Sequence, residues 1–210
     1  MKNKNILLIV RSLYIYVGGV EKMSIEIANG LALKGYKISI LTWDNHKDKK
    51  LPLDFHKIDK KIKVFQLNIG SIKNKSHFLI IIKRILKIRK IILKQKINII
   101  IAFVEGCYWN ALLASMLTKI KVIASERTSP DRFKYISLKK YKFLIMNLFR
   151  FAYKITVQFP SYVDHYPNYL HKKIKVIPKG STKALGISGS ISPNHIIGIN
   201  FRPVFTYLFL

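Results

Sequence analysis

The sequence has very few acidic residues: 10 Asp and Glu stand against 38 Lys and Arg, which gives a formal net charge of +28 at neutral pH. Such an excess of positive charge favours contact with a polyanion, such as nucleic acid, anionic lipid or a phosphorylated substrate. Abundant lysine can also reflect an A/T-rich coding sequence, although that bias would enrich Asp and Glu as well. A functional basic surface and a merely solvated one are both open.

Cysteine and long apolar runs are also scarce. Cys107 is the only cysteine, which excludes an internal disulfide framework and favours a reducing, cytoplasmic compartment. None of the histidines has a partner at metal-ligand spacing and Cys107 has no identifiable base, so we predict neither a metal site nor a thiol nucleophile. The early apolar run, Ile6 to Val10, is too short for a signal peptide core or a membrane span.

What the sequence does contain is a regular alternation of strand and helix patterns. Continuous apolar runs predict strands at Asn5–Arg11, Tyr36–Trp43, Ile62–Leu67, Ile97–Phe103, Lys121–Ser125, Lys154–Gln158 and Ile174–Ile177. Helical periodicity predicts helices from Gly19 to Lys34, at 77–96, Tyr108–Thr118, Ile136–Ala152 and, interrupted at Pro167, Tyr162–Leu170. The alternation predicts an α/β, Rossmann-like domain with a mostly parallel sheet of about seven strands and helices on both faces. Ligands of such sheets bind beyond the carboxyl ends of the strands.

The segment 179–210 breaks this pattern. It has no acidic residue, irregularly spaced Ser and Gly, and a final apolar run from Val204 to Leu210. We therefore assign residues 1–178 to one domain and interpret residues 179–210 as a linker, a disordered tail or the product of a damaged reading frame, with a small C-terminal strand or docking segment as the alternative.

Two glycines stand where the first predicted strand leads into the first predicted helix. At Gly18 and Gly19 the missing side chains and free backbone amides would let a phosphate or sugar approach the positive helix end. The pair is neither a dinucleotide-binding nor a Walker motif, so a simple tight turn is the alternative. Asp44 ends the second strand, where dinucleotide folds hold a ribose-binding acid, but without the glycine motif we do not predict nicotinamide binding.

Several segments resemble family 4 glycosyltransferases. The similar segments are Gly18–Lys22, Asn29–Ala32 and Gly35–Thr42 at the start, Ser125–Pro130 after the fifth strand, and Val176–Pro178 at the close of the domain. The sequence departs from the family at Tyr36-Lys37, where relatives often have His followed by an acid, and at Lys179-Gly180, where they have Asn-Pro. The resemblance covers residues 5–178.

This resemblance implies one half of a retaining glycosyltransferase with the two-domain GT-B fold. In that family the first domain binds the acceptor, the second holds the nucleotide sugar, and transfer occurs between them. The chain is then the N-terminal, acceptor-side half of an enzyme that moves a hexose to a polysaccharide or lipid-linked acceptor, with a nucleotide sugar as co-substrate and no cofactor. Nothing after Pro178 contains a glutamate, so the donor-side glutamate pair has no counterpart, which predicts a truncated product that is inactive alone.

The resemblance also assigns roles to residues, although it identifies no catalytic residue. Gly18 and Gly19 would face the donor diphosphate or the sugar, and Glu126 and Arg127 would line the same cleft, Arg127 with a bidentate fork suited to phosphate. A surface ion pair is the alternative for Glu126 and Arg127. From its position alone, and not from the resemblance, Glu105 at the end of the fourth strand is either a ligand-facing carboxylate or an acid stabilised near a helix start.

Two predicted helices combine apolar and basic faces. In the helix 77–96 the apolar face would hold Phe78, Ile81, Ile82, Ile85, Ile88 and Ile92, and another face Lys83, Lys87, Lys90 and Lys94. Lys139 and Lys140 precede a similar apolar segment. A packing helix with solvated lysines is one interpretation, but two such helices favour peripheral contact with an anionic membrane at its inner face, which suits a lipid-linked acceptor.

The rival hypothesis is a basic binding module without catalysis, for nucleic acid or an anionic membrane. The sequence has no recognisable helix-turn-helix, zinc finger or ribonucleoprotein motif, so specific nucleic-acid binding is not expected.

Overall fold

A computed structural model of the chain describes residues 4–14, 18–45, 57–70, 77–131 and 142–177. The strands are β1 Asn5–Ile9, β2 Lys37–Thr42, β3 Lys63–Gln66, β4 Ile99–Phe103, β5 Lys121–Ser125, β6 Lys154–Val157 and β7 Ile174–Val176. The helices are α1 Gly19–Leu33, α2 Phe78–Lys94, α3 Val104–Ser115, α4 Lys142–Leu148 and α5 Asn168–His171. Two 3-10 helices, Phe149–Phe151 and Pro160–His165, stand before and after β6.

The strands form one sheet in the order β3-β2-β1-β4-β5-β6-β7, and every neighbouring pair is parallel. Leu8 in β1 lies opposite Ile40 in β2 and Ile101 in β4. The chain adds strands outward from β1 on one side and outward from β4 on the other, so the order reverses between these two strands. The predicted α/β, Rossmann-like sheet is confirmed. In folds of this kind ligands bind at the carboxyl ends of the strands beside the reversal, here β1 and β4.

Helices cover both faces of the sheet, which explains why β1 is apolar at four consecutive positions and β4 is apolar throughout. Ile6 and Leu8 pack with α1 on one face, whereas Leu7 and Ile9 belong to the cluster with α2, α3 and α4 on the other. All four side chains are fully buried. Alternate side chains of one strand thus fill two separate cores, as expected for a parallel sheet between two helical layers.

Two helix boundaries differ from the sequence prediction. The predicted start at Tyr108 is wrong, because α3 begins at Val104, directly after β4. Gly106 lowers the helix propensity of this first turn and hides it in the sequence. The predicted helix Tyr162–Leu170 is also wrong: a 3-10 helix ends at His165 and the single turn α5 begins after Pro167, whose missing amide prevents continuous helical hydrogen bonding.

The packing face of α2 also differs from the prediction. Phe78 is 74% exposed and Ile82 is 36% exposed, whereas Arg84 is buried together with Ile88 and Ile92. The hydrophobic pattern assigned Phe78 and Ile82 to the packing face and left Arg84 out of it, because a buried arginine cannot be recognised from hydrophobicity.

Some predictions fall outside the described residues. These are the residues Lys139 and Lys140, the first turn of the predicted helix 136–152, and the segment 179–210. Of the helices that are described, none is both long enough and apolar enough to span a membrane.

Candidate functional site at the carboxyl end of the sheet

The loop that leaves β1 is held in place by Asp44, which follows β2. The Ser12 hydroxyl donates to Asp44 Oδ1 at 2.5 Å, and the Leu13 amide donates to Oδ2 at 2.8 Å. The Tyr14 amide in turn donates to Ser12 Oγ at 3.2 Å. Asp44 is fully buried, so its carboxylate shapes the loop from inside.

The glycine turn begins α1 at this same edge. Gly18 is the N-cap residue and α1 starts at Gly19; both glycines are exposed. The Gly18 amide donates to Glu21 Oε2 at 3.0 Å, so a carboxylate already occupies the positive end of the helix, where it is stabilised by the free amides and the helix dipole. A β-carbon on Gly18 would lie 2.8 Å from that same oxygen. The turn thus binds an anionic group of its own chain.

Trp43 follows β2 and packs against Arg84 of α2, on the face of the sheet that α2 and α3 cover. The Arg84 guanidinium carbon lies 4.6 Å from the centre of the Trp43 ring, and Nε donates to the Ile69 carbonyl at 3.0 Å. Burial lowers the pKa of Arg84, and the nearby charge of Arg11 lowers it further. A β-carbon at the exposed Gly106 would lie 3.6 Å from Trp43, so β2, α2 and the start of α3 meet here.

Two buried polar atoms at the end of β2 have unused hydrogen-bonding capacity. Within the described part of the chain, Thr42 Oγ1 and Trp43 Nε1 are buried without a hydrogen-bond partner. Buried polar groups are nearly always satisfied in native proteins, so such atoms beside a ligand edge indicate a place for water or a bound molecule.

Glu105 lies in the first turn of α3 and is partly buried. The residue before it, Val104, has a φ of 60°, which is strained for a β-branched side chain. Burial raises the pKa of the Cys107 thiol, Glu105 raises it further, and Arg11, Arg84 and Glu21 also act on it through their charges. The thiol therefore stays protonated at neutral pH.

Glu126 and Arg127 follow β5 and are both buried, at 1% and 7% exposure. The alternative of a surface ion pair is therefore wrong. Arg127 Nε donates to Ser125 Oγ at 3.1 Å, and Nη1 donates to the Ile177 carbonyl at 3.2 Å. Burial lowers the pKa of Arg127 to about 10. Arg127 thus ties the ends of β5 and β7 together, and its assignment to substrate binding stays a prediction.

The lysines of α2 do not all share one surface. Lys83, Lys90 and Lys94 are exposed, whereas Lys87 donates from Nζ to the Leu67 carbonyl at 2.5 Å. The exposed side of the helix also carries Leu79, Ile82, Leu86 and Leu93, which are 69%, 36%, 60% and 54% exposed. We call these seven exposed side chains the α2 outer row. Its members mix apolar and basic character on one surface.

Sequence reasoning missed Arg11, Trp43 and Arg84 as parts of this region. Arg84 had a signal, since it stands between Ile81 and Ile88 at helical spacing, where a charged residue on a packing face needs a partner. Trp43 and Arg11 had no comparable signal, because their proximity depends on the packing of β1 and β2.

The parallel seven-stranded sheet, whose strand order reverses between β1 and β4, defines a Rossmann-like α/β domain. A family model described as Glycosyltransferase Family 4 matches residues 17–181. The match covers most of the sequence, and the chain therefore belongs to glycosyltransferase family 4. A comparison with curated proteins finds no significant match.

Solved structures share the fold. A glycosyltransferase from Rickettsia africae is 20% identical with a TM-score of 0.59, over 91% of this chain and 47% of that one. Sucrose-phosphate synthase from Thermosynechococcus elongatus is 12% identical with a TM-score of 0.68, over 87% and 49% of the two chains. HepE from Anabaena, solved with UDP and glucose, is 17% identical with a TM-score of 0.59, over 91% and 47%. This chain spans about half the length of these proteins, and has the fold of a GT-B glycosyltransferase domain.

Proposed function

We propose that this domain is the acceptor-side half of a retaining glycosyltransferase that transfers a hexose from a nucleotide sugar to a polysaccharide or lipid-linked acceptor. The observation that carries the proposal is the exposed turn at Gly18 and Gly19, which opens α1 where the strand order reverses. Helix amino termini favour phosphate groups, and switch points favour ligands. Membership of glycosyltransferase family 4 supports the same class of reaction.

In this proposal the glycine turn meets the sugar diphosphate. An incoming phosphate oxygen would take the Gly18 amide from the Glu21 carboxylate, which now holds it. Arg11, exposed just beyond the end of β1, would add positive charge at the same edge of the sheet. Glu105 would approach the sugar from α3, and the buried Trp43 Nε1 would gain the partner that it lacks among the described residues.

Glu126 and Arg127 would act on the cleft through their loop. Arg127 joins Ser125 to the carbonyl of Ile177, and the Glu126 amide donates to the Thr156 carbonyl at 2.9 Å. These bonds fix the backbone after β5 at the same edge as the glycine turn. The loop would then hold its shape while an acceptor and a donor exchange.

We further propose that the nucleotide sugar is held mainly by a second domain, so that the 210-residue chain does not catalyse transfer alone. The test incubates the purified chain with UDP-glucose, UDP-galactose and GDP-mannose and measures nucleotide release with and without added glycan. We expect release no faster than in buffer. Release that depends on the chain and on added glycan would contradict the inactivity, although it would support glycosyl transfer.

A peripheral position at the cytoplasmic face of the cell membrane is part of the proposal. The α2 outer row supports it, because exposed leucines beside exposed lysines suit an anionic bilayer surface. A lipid-linked acceptor would then be presented at the same surface. Lys139 and Lys140 are assigned to this contact from sequence alone.

A basic binding module for nucleic acid is the second candidate, and the net charge of +28 is the observation that favours it. Measuring affinity for duplex DNA, single-stranded RNA and anionic vesicles across a salt series separates the two. Base-selective binding that survives high salt would favour the nucleic-acid function. We expect weak, salt-sensitive and unselective nucleic-acid binding instead.

A further inference from the structure

The 3-10 helix Pro160–His165 follows β6 at the carboxyl end of the sheet, and none of its described residues is buried. Pro160 is its first residue and Pro167 follows its end, so the backbone is restricted at both ends. In the sheet, β6 is the third strand on from β1. Since neighbouring strands lie about 4.8 Å apart, the helix lies on the order of 14 Å from β1, to one side of the strand that leads to the glycine turn.

One face of this helix carries a row of rings. Residues three apart in a 3-10 helix lie above one another, so Tyr162 and His165 share a face. The ring of Phe159, the residue before the helix, contacts the Tyr162 ring edge-on, with 5.2 Å between the ring centres. Phe159 is 49% exposed, Tyr162 is partly buried and His165 is exposed. The row therefore offers an aromatic surface to a ligand in solvent.

Asp131, from the loop after β5, lies at the histidine end of this row. His165 Nδ1 lies 3.8 Å from Asp131 Oδ1, and both side chains are partly exposed. The Ser129 hydroxyl donates to Asp131 Oδ2 at 3.3 Å, and the Asp131 amide donates to Ser129 Oγ at 3.2 Å. These bonds hold the carboxylate in place beside the rings. We call the four side chains of Phe159, Tyr162, His165 and Asp131 the β6 platform.

The helix of the β6 platform is attached to the aromatic core. Tyr166, directly after the helix, is buried and packs edge-on against Phe149, with 6.1 Å between the ring centres. Phe149 stacks on Tyr108 at 5.2 Å. The Tyr166 carbonyl also accepts from His171 Nε2 at 2.9 Å. The backbone of the platform is thus ordered before a ligand arrives, so that binding costs little conformational entropy.

The charge of the β6 platform differs from that of the chain as a whole. The sequence has 38 Lys and Arg against 10 Asp and Glu. Two of these acids lie here, because Asp131 belongs to the platform and the exposed Asp164 directly precedes His165. Carboxylates in an exposed place repel phosphate and sulfate groups. The platform therefore suits an uncharged ligand.

We propose that the β6 platform binds a neutral hexopyranose unit of an oligosaccharide. The C–H face of the sugar ring would pack on Phe159 and Tyr162, and its hydroxyl groups would hydrogen-bond to Asp131 and His165. The distance from β1 means that this unit is not the one at the glycine turn, so the glycan is an extended one. Binding at the platform does not depend on glycosyl transfer; only the role of this glycan as the acceptor rests on the proposed function.

The chemistry of the β6 platform favours a sugar over a lipid or a nucleotide. A pyranose ring has apolar faces and a rim of hydroxyl groups, which matches aromatic rings with polar groups at one end. A carboxylate accepts hydroxyl donors in strong, charge-assisted hydrogen bonds. An acyl chain would make no use of Asp131. A nucleobase could stack on Phe159, but its phosphate would meet Asp131 and Asp164.

The first experiment titrates the labelled 210-residue chain with four neutral hexasaccharides: maltohexaose, cellohexaose, laminarihexaose and mannohexaose. We expect at least one of them to shift the amide signals of Phe159, Tyr162 and His165 in NMR spectra. Raising the salt concentration should change its affinity less than about twofold, because the ligand is uncharged. A heparin hexasaccharide, the charged control, should leave these three amides unchanged.

The second experiment tests the rings with matched variants. Phe159→Ala should weaken binding of the hexasaccharide at least about tenfold, whereas Phe159→Tyr keeps a ring and should bind within about threefold of the unchanged chain. Phe151→Ala is the control: Phe151 is 70% exposed but precedes β6, at the opposite edge of the sheet, and its loss should change binding less than about twofold. Equal melting temperatures show that the variants are folded.

The third experiment tests the carboxylate. Asp131→Asn should weaken binding about threefold or more, because an amide oxygen accepts weaker hydrogen bonds than a carboxylate does. Asp59→Asn changes an acid in an exposed turn near α1 and should leave the affinity unchanged.

Three outcomes would overturn the assignment of the β6 platform. They are the absence of shifts at the platform with all four neutral hexasaccharides at millimolar concentration, equal affinity of Phe159→Ala and the unchanged chain, and a preference of the platform for the heparin hexasaccharide. UDP-glucose tests the proposed function separately. If it shifts Gly18 and Gly19 but no hexasaccharide reaches the platform, only the platform is wrong. If a hexasaccharide binds the platform and UDP-glucose does not reach the glycine turn, the platform stands and the transferase proposal fails.

Discussion

The two ends of the sheet use charge in different ways. At the carboxyl end, Asp44, Arg84, Glu126 and Arg127 are buried, and their polar atoms hold loops and neighbouring strands in shape. At the amino end, lysines stand around a cavity with no acidic side chain among its described lining residues, and aliphatic side chains reach into solvent.

This difference bears on where a small polar ligand can bind. A network of buried hydrogen bonds fixes a defined geometry, which such a ligand needs. The lysines of the amino end line an open cavity instead. The resemblance to glycosyltransferase family 4 led us to expect a ligand at the carboxyl end of the sheet. The exposed lysines and aliphatic side chains at the amino end are found only in the structure.

The largest expected effect is a loss of stability when Asp44, which holds a loop at the carboxyl end of the sheet, is replaced. Asp44→Ala should lower the free energy of unfolding by about 2–4 kcal/mol, because it leaves the buried Ser12 hydroxyl and the Leu13 amide without their acceptor. Urea denaturation measures this change. Asp59→Ala is the control: Asp59 accepts from the Lys61 amide in an exposed turn, and its loss should cost less than about 1 kcal/mol. Equal costs would contradict the bracing role of Asp44.

Ser125, at the end of β5, and Ser115, at the end of α3, provide a second pair of buried polar residues whose contributions to stability can be compared. Ser125 accepts from Arg127 and from Thr156, so Ser125→Ala should cost about 1–3 kcal/mol, since it leaves buried donors unsatisfied. By contrast, the Ser115 hydroxyl donates to the Leu112 carbonyl within α3, so Ser115→Ala should cost less than about 1 kcal/mol. Thermal and urea unfolding of both variants provide the check, and a larger loss at Ser115 would reverse the comparison.

Replacing Gly106, in the first turn of α3, with a larger residue tests whether a nucleotide sugar binds at the carboxyl edge of the sheet without destabilising the fold. Gly106→Leu places a good helix former at an exposed helical position, so stability should stay equal or rise slightly. The side chain would extend beside Trp43 and should weaken UDP-glucose binding about tenfold, or about 1.4 kcal/mol. Titration followed by NMR measures the affinity. Unchanged affinity in a stable variant would show that the nucleotide sugar does not bind at this edge.

The smallest effect concerns the carboxylate that occupies the glycine turn. Glu21→Gln removes a negative charge from the first turn of α1, which should cost about 0.3–1 kcal/mol of stability. It should also raise the affinity for UDP-glucose about two- to fivefold, because the diphosphate no longer competes with a charged side chain. Lower affinity in this variant would mean that Glu21 contacts the ligand favourably.

The strands and their order follow from local pattern, and so the sequence predicts them well. Runs such as Ile6 to Val10 admit little except a strand covered on both faces, and the helices that connect successive strands allow those strands to run parallel. The exposed glycine turn at the end of β1 follows from the same reasoning.

The remaining features depend on contacts between distant segments. Asp44 braces a loop more than thirty residues earlier in the chain, and Arg84 is buried because Trp43 covers it. The positive φ of Val104 and Leu117 leaves no mark in composition or periodicity. The lysine-lined cavity at the amino end of the sheet joins residues from the start of β1, the end of α2 and the turn after α3, which no local pattern brings together.

The central claim is that a nucleotide sugar meets this domain at the glycine turn. The most direct measurement is a map of backbone amide chemical shifts during titration of the labelled chain with UDP-glucose. The account predicts shifts at Gly18, Gly19, Glu105 and Gly106, with the amides of Met116, Leu117 and Lys119 unchanged. Shifts confined to the amino-end residues, or none at the glycine turn at saturating ligand, would contradict it.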